Sequence, residues 1–447
     1  MTRLDTRLSR RPIGILLFAA FLLVWAMLTK VHTHSWQEES RMATVQALVE
    51  QGTFAIDHTE FNRTGDKVFV NGHFYSDKTP LLSVAAAGVY SILHNVFGLT
   101  LDPAICVPDE DPGACRAFGP EGARLTAFYW LTLIFVGGSS ALLITLSWAA
   151  MIELGVGGVA ATGLATALGL ASPIAPYSIV FAGHVPAAVC LFAGFRLLIA
   201  GTTGILTRRR AFWAGVLISL SANIDLTLAV FIATFGVWLL LTRRSGVMPF
   251  AFGVVVPFAL SAAINYWAAG TIVPLYFDPK AYDFLGTVLN KTVGGTQGFY
   301  TLDFGLRYTF DMLVGQRGVF SFTPVLAFAL AGAWRAMRDP RSDLRTLTLA
   351  MLLGWLAFAL YLILRTDNFG GKAWGTRWFV PLVPMLWYFV PMCFGLSSPA
   401  DRARPAAWCA SPWWRVAFVG AVALSFWMAT LGLHDTWRTV EFPIRLP

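Results

Sequence analysis

The chain has 447 residues, 56% of them apolar and only 13% charged, with 17 Trp and 35 Phe, and its mean hydropathy is +0.62. Soluble domains carry about 25% charged residues, so a water-soluble globular protein is excluded. Apolar runs recur at the ~20-residue length that crosses a hydrocarbon core, which reads as an all-α polytopic membrane protein, since a helix satisfies its own backbone in lipid. The formal charge of +8 resides largely in clusters such as Arg208-Arg209-Arg210, Arg243-Arg244 and Arg335/Arg338/Arg341/Arg345. These read as cytoplasmic topology signals; no basic stripe interleaved with aromatics suggests nucleic acid.

The first apolar run, 13–29, lacks a small-residue cleavage site and is expected to stay as the first span. Further spans are predicted at 123–148, 155–172, 184–201, 210–222, 226–241, 248–268, 317–336, 346–364, 378–396 and 413–431, about eleven in a single membrane domain over 1–447. The Gly/Ala-rich 155–172 segment suits close helix approach in lipid. Residues 81–98 are also apolar, but counting them as a span would put Arg208–Arg210 outside. They are read instead as a helix on the outer leaflet. Charge agrees, because 31–122 holds 12 acids against five Lys and Arg. The loop 31–122, with two juxtamembrane helices, and the loop 269–316 are thus expected on the periplasmic face of a bacterial inner membrane.

Within the first loop, Glu38-Glu39-Ser40-Arg41 opens an amphipathic stretch. Acids in a first helical turn offset the macrodipole; a carboxylate just above the membrane is also a candidate general base. Tyr75-Ser76-Asp77-Lys78-Thr79-Pro80 follows. Pro80 suits the start of a helix and Asp77 its charge, but Lys78 is a cation at a helix N-terminus, which calls for a nearby anion such as a lipid phosphate. Cys106 and Cys115 bracket an acidic Pro/Gly loop and are expected to pair as a disulfide on an exported face. Cys190, Cys393 and Cys409 read as apolar fillers. Two thiols without an adjacent His make a poor zinc set; no cofactor is specified, and a divalent metal is left open.

The short exterior loop from Arg365 through Asp367, Gly370, Gly371, Lys372 and Trp374 to Arg377 is rich in Gly, aromatic and basic residues. It reads either as an interfacial anchor belt or as a phosphate site built on Arg365, Lys372 and Arg377. Inside the spans, His184, Asp225 and Arg196 stand out as ionisable groups. Hydrogen bonding is the expected role of His184, and Asp225 is undecided.

These words resemble the GT-C glycosyltransferases that use polyprenyl-phosphate sugars, such as the aminoarabinose transferases and protein O-mannosyltransferases. Members carry Asp-Glu-x-Arg after the first span and an aromatic, an acid and Lys-Pro-Pro-Leu later. This chain offers Glu38-Glu39-Ser40-Arg41 and Tyr75-Ser76-Asp77-Lys78-Thr79-Pro80-Leu81, and its 373–384 segment is similar to the Gly/Trp-Gly-x-Arg segment of bacterial members. GHVPAA at 183–188, Asn265 and 317–326 also match in placement. Two departures are Glu38 for the family's Asp and Thr79 for its first Pro.

The resemblance implies a GT-C-like fold and inverting transfer of a sugar from a polyprenyl-phosphate donor to a hydroxyl of a glycan, lipid or protein. Glu38, or else Glu39, would be the base. Lys78, Arg377, Arg365 and Lys372 would bind the donor phosphate, with Arg41, Asp77, Tyr75 and Trp374 in support. The alternative is a transporter or flippase of lipid-linked sugars, although no internal repeat favours one.

Overall fold

A computed structural model describes residues 11–101, 126–202, 204–287, 301–339, 342–366, 369–396, 411–441 and 443. Apolar segments with no polar partner outside the chain close their hydrogen bonds as helices, and helix lies within each of the eleven apolar segments. In chain order these are α1 (Arg11–Leu28), α2 (Trp36–Gln46), α3 (Pro80–Phe97), α4 (Ala127–Glu153), α5 (Gly158–Leu170), α6 (His184–Thr202) and α7 (Arg208–Ile224). They continue as α8 (Ala229–Thr242), α9 (Val247–Ala269), α10 (Leu302–Leu313), α11 (Leu326–Ala336), α12 (Ser342–Arg365) and α13 (Pro412–His434). Between α12 and α13, Pro381, Pro384 and Pro391 break residues 377–393 into short helical pieces.

Among the described residues six helices are long and apolar enough to cross a membrane, and α3 is one of them. Its expected place on the outer leaflet rests on the parity and charge of the flanking segments alone. Cys106, Cys115 and the rest of the acidic loop lie outside the described residues.

The bundle is tightest where small residues let backbones meet. Helix α7 packs between α6 and α9, and Gly215 and Gly253 face one another's helices: a Cβ on Gly215 would strike the Phe250 carbonyl, and one on Gly253 the Phe212 carbonyl. Trp25, Phe192, Phe195, Phe231, Phe235 and Trp387 fill the centre as fully buried side chains.

Helices α2 and α3 lie within residues 31–122, and so does a hairpin that the sequence reading missed. Strands β1 (Lys67–Val70) and β2 (His73–Ser76) pair antiparallel, Lys67 opposite Ser76 and Val70 opposite His73. Asn71 (φ 52°) and Gly72 (φ 87°) make the connecting turn, the two-residue left-handed turn that Asn-Gly favours. Val68 of β1 packs on Ala281 and Tyr282 of the second polar loop, so the two loops form one cap.

Candidate functional site

Helix α2 starts where Ser35, in extended backbone, accepts from the Glu38 N–H. Glu38 Oε2 in return accepts from the His34 N–H at 2.8 Å and the Ser35 hydroxyl at 3.3 Å, a variant of the reciprocal capping box. Its Oε1 accepts from the Phe181 N–H at 2.9 Å, tying α2 to the loop before α6. The carboxylate is fully buried. Burial pushes its pKa up to about 7 against those three hydrogen bonds.

A cavity of about 630 Å³ lies beside this helix, and Gln37 and Arg41, one turn apart, line it. Glu38 and Glu39 do not. Glu39 stands about 200° round the helix from Gln37, where burial, Glu38 and Asp66 push its pKa up to about 7. The two alternative bases, Glu38 and Glu39, therefore point in different directions.

The hairpin delivers the second wall. Ser40 of α2 donates to the Asp66 carbonyl at 2.6 Å and meets Ser76 at 2.6 Å, fixing the segment that follows. Asp77 and Lys78 line the cavity, and Tyr75 lines a smaller recess of about 40 Å³ with Asn265. The anion that Lys78 calls for is the protein's own: Nζ lies 2.7 Å from Asp66 and 2.9 Å from Asp77. Burial acts to lower the Lys78 pKa, and the two carboxylates outweigh it and hold it above the ordinary lysine value. Asp66 carried no signal in the sequence reading.

The third wall comes from the 369–378 loop. Arg317, a missed residue, donates to the Ala373 carbonyl at 2.7 Å, and Thr376 donates to the Arg317 carbonyl at 2.8 Å. Trp374 is a buried anchor rather than a cavity residue: its backbone N–H donates to the Thr436 carbonyl and its carbonyl accepts from the Tyr177 hydroxyl, each at 2.9 Å. The loop so pinned aims Arg377 into the cavity, where Nη1 donates to Gln37 Oε1 at 2.7 Å. Arg365 and Lys372 are exposed and do not line the cavity. Of the four expected phosphate ligands, only Lys78 and Arg377 come together.

The fourth wall joins His184 and Asp225, which sequence separates by 41 positions: His184 Nδ1 and Asp225 Oδ2 are 3.1 Å apart, and Thr227 donates to Asp225 Oδ1 at 2.7 Å. Arg196 is elsewhere, bonded to Glu153 at 2.6 and 3.2 Å. The remaining lining includes the apolar Leu226, Val230, Phe258, Phe277 and Trp378. No group of three or more His, Cys, Asp or Glu suited to a metal occurs among the described residues.

The arrangement is a cavity with a cationic, hydrogen-bonding end and an oily flank, suited to an anionic head on an apolar chain. No protein-family profile and no curated sequence matches the chain. Solved structures do. ArnT from Cupriavidus metallidurans bound to undecaprenyl phosphate superposes with a TM-score of 0.52 at 16% identity, over 94% of this chain and 75% of that one. Its apo form gives 0.51 at 15%, over 95% and 76%. The apo oligosaccharyltransferase of Archaeoglobus fulgidus gives 0.53 at 12%, over 96% of this chain and 57% of that one. With its apolar helices and these likenesses, the chain is a multi-pass α-helical membrane protein with a GT-C-like fold.

Proposed function

We propose that the protein is a membrane glycosyltransferase that moves a sugar from a polyprenyl-phosphate donor to a hydroxyl acceptor on the periplasmic face, with inversion. The observation that supports this best is the cavity itself, cationic at Arg41, Lys78 and Arg377 and apolar at Val230, Phe258 and Phe277. A phosphate at the head of an isoprenoid chain has this division of chemistry. ArnT, of similar fold, was solved with undecaprenyl phosphate bound. Orientation follows from charge. Helix α7 runs from Arg208–Arg210 to Ile224 at the cavity, and α8 runs back from the cavity to Arg243-Arg244. The Arg-rich ends belong in the cytoplasm, which puts the cavity outside.

In the reaction the acceptor oxygen attacks the anomeric carbon as the bond to the phosphate oxygen breaks. The phosphate leaves with that electron pair, and a preorganised cation at Arg377 lowers the barrier by meeting the charge as it develops. Glu38 is the proposed base. Its pKa of about 7 is matched to neutral pH. Its neighbour Gln37 faces the cavity, and its partner Phe181 is two residues before Gly183, which also does. Rotation out of those bonds would carry the carboxylate to an acceptor; catalytic contacts often tighten only when substrate is present. Glu39, on another face, is left out of this scheme.

The test is turnover of a panel of radiolabelled polyprenyl-phosphate sugars by membranes containing the protein. Transfer from at least one donor, lost in Arg377→Ala, is expected. Movement of intact donor between leaflets with no sugar transferred would make it a flippase and end the proposal.

A further inference from the structure

Beyond α13 the chain turns back to the site, and the turn is pinned from three directions. Lys30, after α1, donates to the His434 carbonyl at 3.1 Å. Thr436 donates to the Pro176 carbonyl, ahead of α6, at 3.0 Å, and its own carbonyl holds the Trp374 backbone N–H. Gly432 lets the helix end come this close, since a Cβ there would lie 2.8 Å from Pro176 and from the Trp374 ring. Asp435 accepts from the Trp437 backbone N–H at 3.1 Å. The side chain so fixed is that of Trp437, 7% exposed.

Trp437 touches both ends of the proposed chemistry without lining the cavity. The Arg377 guanidinium carbon lies 5.6 Å from its ring centre, within cation–π range, and Tyr177 packs edge-on at 6.1 Å. Its indole N–H is near enough to the Glu38 carboxylate to oppose the rise of that group's pKa. It nevertheless falls short of a formed hydrogen bond and is buried with no partner. A buried donor left open is costly. Phenylalanine would fill the same space and cover the same cation without that cost.

The spare donor has an explanation in its neighbour. At rest Glu38 is saturated by the His34 and Phe181 N–H groups and the Ser35 hydroxyl, and it must leave them to act as a base. An ionised carboxylate that gives up three donors needs another, and the indole N–H is the unengaged one beside it.

We propose that Trp437 is a positioning residue for transfer: its ring holds Arg377 in place, and its indole N–H receives the Glu38 carboxylate when that group leaves its helix cap. This rests on the glycosyltransferase reading above. The indole keeps its proton throughout; it holds the charge on Glu38 until the proton of the acceptor hydroxyl arrives. Two titrating groups stand close by. Glu39 also rises to about 7, and His34 is pushed below its ordinary value by burial and by Lys30, with Asp435 opposing. The test is therefore made in a Glu39→Gln chain, where Glu38 is left as the acid that titrates near neutrality.

Two measurements are made on the full-length chain in lipid nanodiscs. The first follows, without substrate, the protonated-carboxyl infrared band that Glu38→Gln removes. Trp437→Phe keeps the ring and loses the donor, so the midpoint of that band should move up by about 0.4–1 in pH. The second is transfer from the panel of radiolabelled polyprenyl-phosphate sugars. In Trp437→Phe the acid limb of kcat should move up by the same amount, with the donor KM within twofold of the parent chain. Trp437→Leu loses the ring as well, and should also raise the donor KM at least threefold. A merely structural tryptophan would lower transfer evenly at every pH. If the Leu variant does not fold, Trp437→Phe decides alone. With the parent chain active, an unmoved midpoint or an unmoved acid limb in Trp437→Phe overturns the positioning role and leaves the glycosyltransferase reading standing. Transfer from no donor by any form, wild type included, removes that reading and this role with it.

Discussion

Replacement of Glu38 by Gln separates what this carboxylate does for the fold from what it does for the reaction. Glu38 is fully buried, and burial raises its pKa from 4.5 to about 7. A carboxylate whose folded pKa lies above its unfolded value holds its proton more tightly when folded, so stability falls as pH rises from about 4.5 to about 7. At 1.36 kcal/mol per pKa unit the loss is about 3 kcal/mol, complete above pH 7. Gln cannot titrate, and its NH2 replaces an oxygen that accepts from the His34 or the Phe181 N–H. The variant should therefore start below wild type near pH 5 and lose most of the wild-type slope, so that the gap narrows towards pH 8, with a residual slope in the same direction from Glu39. Thermal unfolding in detergent across pH 4.5–8.5 measures both curves, and the double variant Glu38→Gln/Glu39→Gln should flatten the profile. Transfer should fall at every pH: loss of a positioned base costs ~10²–10⁴-fold, although the folded variant still binds donor. A stable Glu38→Gln protein with wild-type turnover would refute the base assignment. A wild-type stability curve flat between pH 4.5 and 7 would refute the buried-acid reasoning.

Gly215→Leu or Gly253→Leu should destabilise the bundle by more than ~2 kcal/mol, because overpacking here meets backbone rather than a movable side chain; detergent melting temperatures check it, and unchanged values would contradict the close approach. Lys78→Met should destabilise the fold more than the triple variant Asp66→Asn/Asp77→Asn/Lys78→Gln, since it strands Asp66 and Asp77 together, and expression and melting of the pair decide the order. Gly183→Ala should weaken polyprenyl-phosphate binding severalfold with a small effect on melting, as the methyl meets the Ile224 Cγ2 methyl at 3.0 Å and Arg41 Nη2 at 3.3 Å. Cys106 and Cys115 should be found as a disulfide in non-reducing peptide mass spectrometry; two free thiols would reject the pairing.

The apolar helices were legible because lipid imposes one rule, length with hydropathy, on every segment. Helix α2 was legible too, from the acids of its first turn. The direction in which each of its side chains points was not. Gln37 reads as an unremarked amide and Glu38 as a catalytic acid, and only the phase of α2 against α6 shows which faces the cavity. The hairpin carries a signal of its own, Asn71-Gly72 between alternating apolar residues, which the charges of the same segment overshadow. The partners of Lys78 and His184 were beyond reach for another reason. Asp66 and Asp225 are brought to them by a turn and by a helix reversal, which local sequence does not encode. Arg365, Lys372 and Arg377 looked alike as basic loop residues, and the Arg317 tether, 60 positions from Arg377, is what singles out one of them.

The hydrogen bond from Arg377 to Gln37 spans 340 positions of chain. At the ~5–20 residues per second of synthesis, some 20–70 s separate the emergence of its two ends. For that interval helix α2 waits with its cavity face unfinished, Arg41 made and Arg377 not. The cationic end of the cavity is thus a late product of assembly. A nascent or truncated chain that has made its first nine apolar segments has most of the bundle and an open, half-charged cavity.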